Sequence, residues 1–552
     1  MRRPFLLPLL LAASLCSAAP SPEAIVKAIG REIGRAADSL VAADGSRPYY
    51  LSVRYVQTKV TTMRATFGES LPTAVSEKPE LMVEVRVGTP ELDDSRFEGT
   101  ETEGFPFDLA TPADGDPVLL RRQIWALFDD AFRQGSRNFA EKRHWLSAHP
   151  TSRKPGPDFI LPEPIRHIDT LPPLKLDTAL WNRKLAELSD YANAFPGLIE
   201  APVELRVIER RQYSVNNLGS VTIDDSREYR ALAPMLAQAE DGAPLWDYWK
   251  DAAADPGEID LKGAKEKLAE RARVLLELRD KAPEPPYRGP VMIEGEAAAQ
   301  FLLAALGSAM LHGEQEMALG DYPNPMTLLP NLGHRILPKG FALFDLPGLT
   351  EFDGRSVVGH YAIDGDGQRA RDIEIVKDGI LNEIPTSQAP LFGQATVNGH
   401  GSGGFVRPGP LALSCPEERV RDDLEKTYRE IIADEGNDGL VIERFSSEEA
   451  LNALKSPLVD PMRGKLFLSS LEIVNMPFPL ALSRMDKEGR RTPIRPLDPS
   501  ILGIGSYRDW MYCGRRMTMV SSSEGMSSIA PSLVHGFLSF KPLRITPVKR
   551  MD

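Results

Sequence analysis

The stretch that decides the fold runs from Gly289 to Gly404. It opens Gly289-Pro290-Val291-Met292-Ile293-Glu294-Gly295-Glu296 and continues Ala297-Ala298-Ala299-Gln300-Phe301-Leu302-Leu303-Ala304-Ala305-Leu306-Gly307. It closes on Asn398-Gly399-His400-Gly401-Ser402-Gly403-Gly404. As a tight turn, the closing run needs positive φ at glycine; equally, its glycines would let a ligand backbone approach a strand edge. Both readings stay open, because a turn can be structural and still line a groove. Between the two ends, Asp364-Gly365-Asp366-Gly367 precedes the strand-like Ile373-Glu374-Ile375-Val376, and Gly379 follows Asp378. Hairpins with Asp-Gly turns are predicted there. A calcium loop would need acids at alternating positions and a glutamate at the twelfth, a pattern that Gln368 breaks, so a turn is the expectation.

Upstream, Ala282-Pro283-Glu284-Pro285-Pro286 marks the main domain boundary, between an N-terminal domain over 19–285 and a β-rich C-terminal domain over 286–552. Ser21-Pro22-Glu23 reads as a helix start, with an apolar stripe at Ile25, Ile29, Ile33 and Leu40. Tyr49 to Val60 and Leu81 to Val87 alternate like strands, and Val118 to Arg143 is a predicted helix. The Pro-rich segment 149–173 has no periodicity and is expected as a surface linker or an arm lying on the N-terminal domain. Helix returns at Trp181 to Phe195, then strands at 203–207, 211–215 and 221–223, then a charged helix from Leu261 to Lys281. A further helix is predicted from Pro416 to Ala433, introduced by a capping-box pattern at Ser414 and Glu417.

The N-terminus has the form of a signal peptide over 1–18. Arg2 and Arg3 precede an apolar core from Phe5 to Leu15, with small residues at Ser17 and Ala18 for cleavage. A lipid anchor at Cys16 is not expected, because Leu15 is bulky where lipoprotein signals want a small residue. No later apolar run reaches about 18 residues, so no membrane insertion is expected after cleavage, and a periplasmic or secreted location is. The formal charge of −13 repels phosphate backbones, which argues against nucleic acid as a partner. Cys415 and Cys513, the cysteines left after processing, allow one disulfide at most.

Several runs in fixed order resemble the TldD/PmbA (TldD/TldE) family of predicted metallopeptidases. They are Tyr287-Arg288-Gly289-Pro290, Gly333-His334-Arg335-Ile336-Leu337-Pro338, Asp345-Leu346-Pro347, Val376-Lys377-Asp378-Gly379-Ile380-Leu381 and Asn398-Gly399-His400-Gly401. Leu92-Asp93-Asp94-Ser95 and Asn216-Asn217-Leu218-Gly219 match more loosely. The resemblance implies an α+β fold of two domains, a mixed α/β N-terminal domain and a β-rich C-terminal one, with dimers enclosing a peptide-accessible cavity. It also implies that the helix after the Gly-Pro strand should carry His-Glu-x-x-x-His, two zinc ligands and a general base. Those positions fall on Ala304, Ala305 and Ala309, which can neither bind a metal nor move a proton. Cys513-Gly514-Arg515 is similar to the family's Cys-Gly-Lys, whose cysteine is a third zinc ligand, although its spacing to Pro531 is longer.

Zinc needs three or four nitrogen, sulfur or carboxylate ligands, with two commonly on adjacent turns of one helix. None of the eight histidines pairs with another at i,i+4. His312 follows the emptied helix and is expected as a loop histidine, with Cys513 as a buried small residue or a relic. No Gly-x-Ser-x-Gly elbow is present, and Asp93-Asp94 and Asp224-Asp225 read as solvated turn acids. The leading expectation is a pseudo-peptidase subunit without cofactor. It would bind extended peptide through Asn398, Gly399, His400 and Gly401, and dimerise with itself or with a TldD-like subunit. The alternatives are an active peptidase with zinc in a site rebuilt from His312, His400 and Cys513, and a non-enzymatic scaffold of the envelope.

Overall fold

A computed structural model describes residues 20–43, 45–97, 107–110, 116–152, 155–303, 328–391, 396–460, 462–463, 478–499, 504–521 and 525–543. The signal-peptide reading, Ala304, Ala305, Ala309 and His312 all lie outside the described residues. In chain order the N-terminal part contributes α1 (Pro22–Ser39), β1 (Pro48–Thr66), β2 (Ala74–Thr89), α2 (Pro117–Ala148), β3 (Arg166–Asp169) and α3 (Thr178–Ser189). It ends with β4 (Pro202–Asn216), β5 (Val221–Gln238), β6 (Pro244–Ala253) and α4 (Leu261–Glu277). Then follow β7 (Tyr287–Ile293), α5 (Gly295–Leu302), β8 (Ala342–Asp345), β9 (Ile373–Lys377), β10 (Leu411–Ser414) and α6 (Leu424–Glu435). The described chain closes with β11 (Gly439–Phe445), β12 (Pro479–Met485), β13 (Trp510–Ser521) and β14 (Ser527–Pro542).

The fold is α+β, with two large sheets. Among the described residues the first has nine strands and runs β2-β1-β4-β5-β3 along its main path, with β6 also on β5. The second has twelve and runs β9-β8-β10-β14-β7-β11-β12. The period of two explains how the first sheet is covered. Leu51, Val53 and Tyr55 of β1 with Leu81, Val83 and Val85 of β2 face the apolar stripe Ile25, Ile29 and Ile33 of α1 and Ile124 and Phe128 of α2. Farther along, Ala231, Ala233 and Met235 of β5 pack under α3 and α4. The alternate residues, Leu232 and Leu236, join Trp246 and Tyr248 in a core shared with Leu451, Leu454 and Phe478. One strand therefore serves both halves of the molecule.

Local signals hold where the first turn supplies its own partner. Ser21 caps α1 by accepting from the Ala24 amide at 3.3 Å. They fail where a longer-range pairing competes. The predicted helix from Pro416 is absent over its first half: Ser414 belongs to β10, and Val420–Arg421 pairs with Cys513 and Gly514. The helix starts at Leu424 instead, capped by Asp423, which accepts from the Lys426 amide at 2.8 Å. The two strands predicted at 203–207 and 211–215 are one continuous β4, because β1 and β5 pair with it along both edges. β6 had no sequence signal, since Leu245 and Trp249 face α4 while Trp246 and Tyr248 face the other core. Burial on both sides erases the polar alternation.

Candidate functional site

The metal motif that the resemblance implies falls in the sequence just beyond α5. β7 lies between β14 and β11, and α5 leaves its end at Glu294. Ala297 to Leu302 are all buried. Gln300 locks the helix in place, donating to the Tyr248 hydroxyl at 2.7 Å and accepting from the Phe445 amide at 2.8 Å. Glu296, in the first turn, pairs with Arg271 of α4 at 3.0 Å. The only carboxylate on the described helix is thus already engaged, and the alanines beyond it supply no donor. This donor set does not fit zinc.

Cys513 is neither a free thiol nor an open ligand position: its sulfur is bonded to Cys415, across a sequence separation of 98. The sequence left this pairing undecided, because 98 residues carry no local signal. His400, the other residue of the rebuilt-site reading, is fully buried. Its Nε2 lies 3.3 Å from Asp345 Oδ2, itself fully buried, and its Nδ1 lies 2.9 Å from Asn398 Oδ1. Burial pushes the Asp345 carboxyl up from its ordinary value, and His400 opposes that rise.

The four expected groove residues form a clasp. Asp364 accepts from the Gly401 amide at 2.8 Å and Asp366 from the Gly403 amide at 2.7 Å, while the Gly365 amide donates back to the Gly401 carbonyl at 2.7 Å. The Asp-Gly turn and the Asn-Gly-His-Gly turn therefore bind one another. Asn398 adds a second lock: its Oδ1 accepts from the Thr386 amide at 2.6 Å and its Nδ2 donates to the Ile384 carbonyl at 2.9 Å. Burial, then Asp366, pushes the Asp364 carboxyl well above the usual range. His400 and Gly401 are packed inside this clasp, while Asn398 and Gly399 edge a cleft of about 550 Å³ whose other wall is Ile160 to Arg166 of the Pro-rich arm.

Gly399 has φ +72°, and a β-carbon there would sit 2.1 Å from the Arg369 carbonyl oxygen. Gly399→Ala is expected to destabilise by about 2 kcal/mol or more through left-handed strain and that backbone clash. Gly30→Ala is the control, because Gly30 lies within α1 with nothing in the way of a β-carbon. It should stabilise by about 0.5–1 kcal/mol. Thermal melts of both variants check the pair.

Asp93 and Asp94 correct the expectation of solvated turn acids, since both are completely enclosed. Asp93 accepts from Arg86 at 3.1 Å and from the Ser95 hydroxyl at 2.6 Å. Lys142 of α2, also fully buried, donates to the Asp93 and Ser95 carbonyls at 2.9 and 2.6 Å and to Asp158 at 2.7 Å. Burial opposes ionisation of Asp93, but Arg86 and Lys142 hold its carboxyl below the ordinary range. Burial and the adjacent Asp93 push Asp94 up to about 8. These acids are a structural charge cluster anchoring α2 to the sheet.

Asp224 and Asp225 divide. Asp225 pairs with Arg211 at 2.6 Å, whereas Asp224 joins His167 and Asp169, with ligand atoms all within 4.8 Å of one another. β3 runs parallel to β5 with Asp169 opposite Asp224, which places all three on one face of the sheet edge. Among the described residues this is the one cluster with the composition of a metal site, and it is unrelated to the family's helix.

A cleft of about 310 Å³ opens between the two halves beside α5. β5 and β6 supply Arg230 and Lys250, α4 supplies Lys267 and Arg271, α5 supplies Glu296, and β13 supplies Met517 to Ser521. β13 pairs with β14 through Met517 to Ser521 along one edge, and among the described residues no strand pairs with the other edge there. Sequence alone could not assemble this cleft, because its walls come from segments about 290 positions apart.

Comparison with known proteins agrees with this architecture. Residues 286–453 match the family model of the PmbA/TldA metallopeptidase C-terminal domain. Over 346 residues the chain is 23% identical to a metalloprotease from Methanothermobacter thermautotrophicus, covering 58% of this chain and 72% of that protein. TldE from Thermococcus kodakarensis has the same fold at 11% identity, with a TM-score of 0.61 over 93% of this chain and 100% of that one. A Thermotoga maritima protein described as a candidate modulator of a DNA gyrase matches at 13% identity and a TM-score of 0.58, over 93% and 99% of the two chains. With the fold shared along most of its length and the C-terminal domain matched by the family model, the chain belongs to the TldD/PmbA family.

Proposed function

We propose that this protein is an exported, non-catalytic member of its family that binds extended peptide. In this reading it works as a dimer, either with itself or with a TldD-like subunit that brings the zinc. The observation that carries the reading is the unpaired edge of β13 at Met517 to Ser521, which lines the cleft between the two halves. Such an edge offers backbone N–H and C=O groups in the spacing that an extended peptide can pair with. In the sequence, the positions that would hold the catalytic metal are alanine. Export is supported by Arg2, Arg3 and the apolar run Phe5 to Leu15, together with the Cys415–Cys513 bond, since such bonds persist in oxidising compartments.

The test uses mature protein, with zinc supplied, and a panel of unstructured peptides. Saturable binding without cleavage is expected, and N-methylation of alternate peptide nitrogens should weaken it about tenfold by removing strand pairing, or about 1.4 kcal/mol. Cleavage that a chelator abolishes and zinc restores would overturn the non-catalytic reading. Bound zinc alone does not decide the matter, because the His167 cluster could take an ion. Zinc held there is lost in His167→Ala without any change in peptide binding. Mass measurement and co-purification with a metal-bearing relative test the dimer, and a solitary monomer would count against it.

A further inference from the structure

Among the cations of the cleft beside α5, Lys250 is the one that is half-buried without an ion-pair partner among the described residues; Lys267 and Arg516 also have none, but both are exposed to water. Arg271 is engaged by Glu296 at 3.0 Å, Arg355 by Asp251 at 2.7 Å, and Arg230 by Glu228 of its own strand. Two of the acids are occupied in the same way, Glu449 at 3.6 Å from Arg206 and Asp260 capping α4 by accepting from the Gly263 amide at 2.8 Å, while Asp353 is exposed to water. Lys250, half-buried on β6, has no carboxylate within ion-pair distance and no hydrogen bond among the described residues. Its ammonium lies 6.0 Å from the centre of the Tyr248 ring. Burial lowers the Lys250 ammonium from the ordinary lysine value, partly offset by the fields of Glu449 and Glu296. A partly desolvated ammonium without a direct ion-pair partner is a costly arrangement, and an arriving anion relieves it.

The anion must also suit the rest of the cleft. The wall opposite the N-terminal sheet is the open edge of Met517 to Ser521, which suits a main chain, and the remaining lining is mostly charged, with Trp249 and Phe352 as its aromatic residues. We infer that Lys250 binds a carboxylate of the peptide held in this cleft, so that the preferred ligands are peptides carrying a free C-terminal or side-chain carboxylate there. Lys250 is on this account a specificity residue. The inference rests on the peptide-binding reading above and deepens it.

Titration of the full mature protein with one unstructured peptide in four forms tests it. The peptide is made with a free or amidated C-terminus, and with its acidic residues intact or replaced by their amides. Each form is measured against wild type, Lys250→Met and Lys250→Arg, after melting curves establish that the variants are folded. Lys250→Met should weaken the carboxylate-bearing peptide about tenfold or more, while leaving the form stripped of all carboxylates unchanged. Lys250→Arg should retain most of the affinity. Loss on C-terminal amidation would assign the terminal carboxylate, and loss on replacing the acidic residues would assign a side chain. Binding that ignores both changes, or that survives Lys250→Met undiminished, would overturn this inference and leave peptide binding standing. Failure of wild type to bind any form would overturn the peptide-binding reading and this inference with it.

Discussion

Replacing Lys142 with methionine is expected to destabilise the protein by about 3–5 kcal/mol, the usual cost of removing one partner from a buried ion pair. Lys142 is fully enclosed, and its ammonium satisfies the Asp93 and Ser95 carbonyls as well as the Asp158 carboxylate. Methionine fills similar space but removes the ammonium donor from both carbonyls, leaves Asp158 buried with the Asp93 amide but no cation, and leaves Asp93 with Arg86 as its one remaining nearby cation of the pair. Denaturant unfolding of the two proteins measures the loss. The pH dependence gives a second check. Asp93 is held below its ordinary value when folded, so its contribution is present above the unfolded carboxylate range of about 4 and fades as pH falls through the folded value. The gap between wild type and Lys142→Met should therefore narrow in acid. A penalty under about 1 kcal/mol would mean that α2 is not anchored through this cluster.

Breaking the Cys415–Cys513 bond is the second large effect, at about 2–4 kcal/mol. The bond closes a loop across 98 positions, so the unfolded chain gains much freedom when it is cut. It also tethers β10 to β13, near where Val420–Arg421 pairs with Cys513 and Gly514. Melting wild type with and without reductant, beside the doubly substituted Cys415→Ser and Cys513→Ser protein, should give one lowered midpoint for both reduced wild type and the variant. A midpoint indifferent to reductant would mean that the thiols are free, and would reopen Cys513 as a metal ligand.

Much of the N-terminal half was readable from short patterns. The Ile25, Ile29 and Ile33 stripe and the alternation of Leu81 to Val87 both pack as their periods require. Boundaries slipped where neighbours intervened: β2 begins at Ala74 because it pairs with β1 out to Thr62, and β1 extends to Thr66 because β4 pairs with it that far. The site was less readable. Asn398 and Gly399 do edge a cleft, but His400 and Gly401 are held inside the clasp with Asp364 and Asp366, more than 30 positions away. Nothing local distinguishes an Asp-Gly turn that faces water from one whose carboxylates are consumed by another turn.

The amino-acid order alone settles the features carried by residue type and short spacing: caps, strand alternation, and the lack of any metal-binding side chain at Ala304, Ala305 and Ala309. Tertiary structure alone decides which charges are buried and which are left unmatched. Asp93 and Asp94 look like surface acids in the sequence, yet in the fold both are buried, Asp93 as a paired ion and Asp94 pushed up to about 8 beside it. Lys250 looks like any strand lysine and lies half-buried in a cleft without an ion-pair partner among the described residues. The reason is physical. Helix and strand periods arise from contacts within a few residues, whereas desolvation and ion pairing depend on which distant segments the fold brings together.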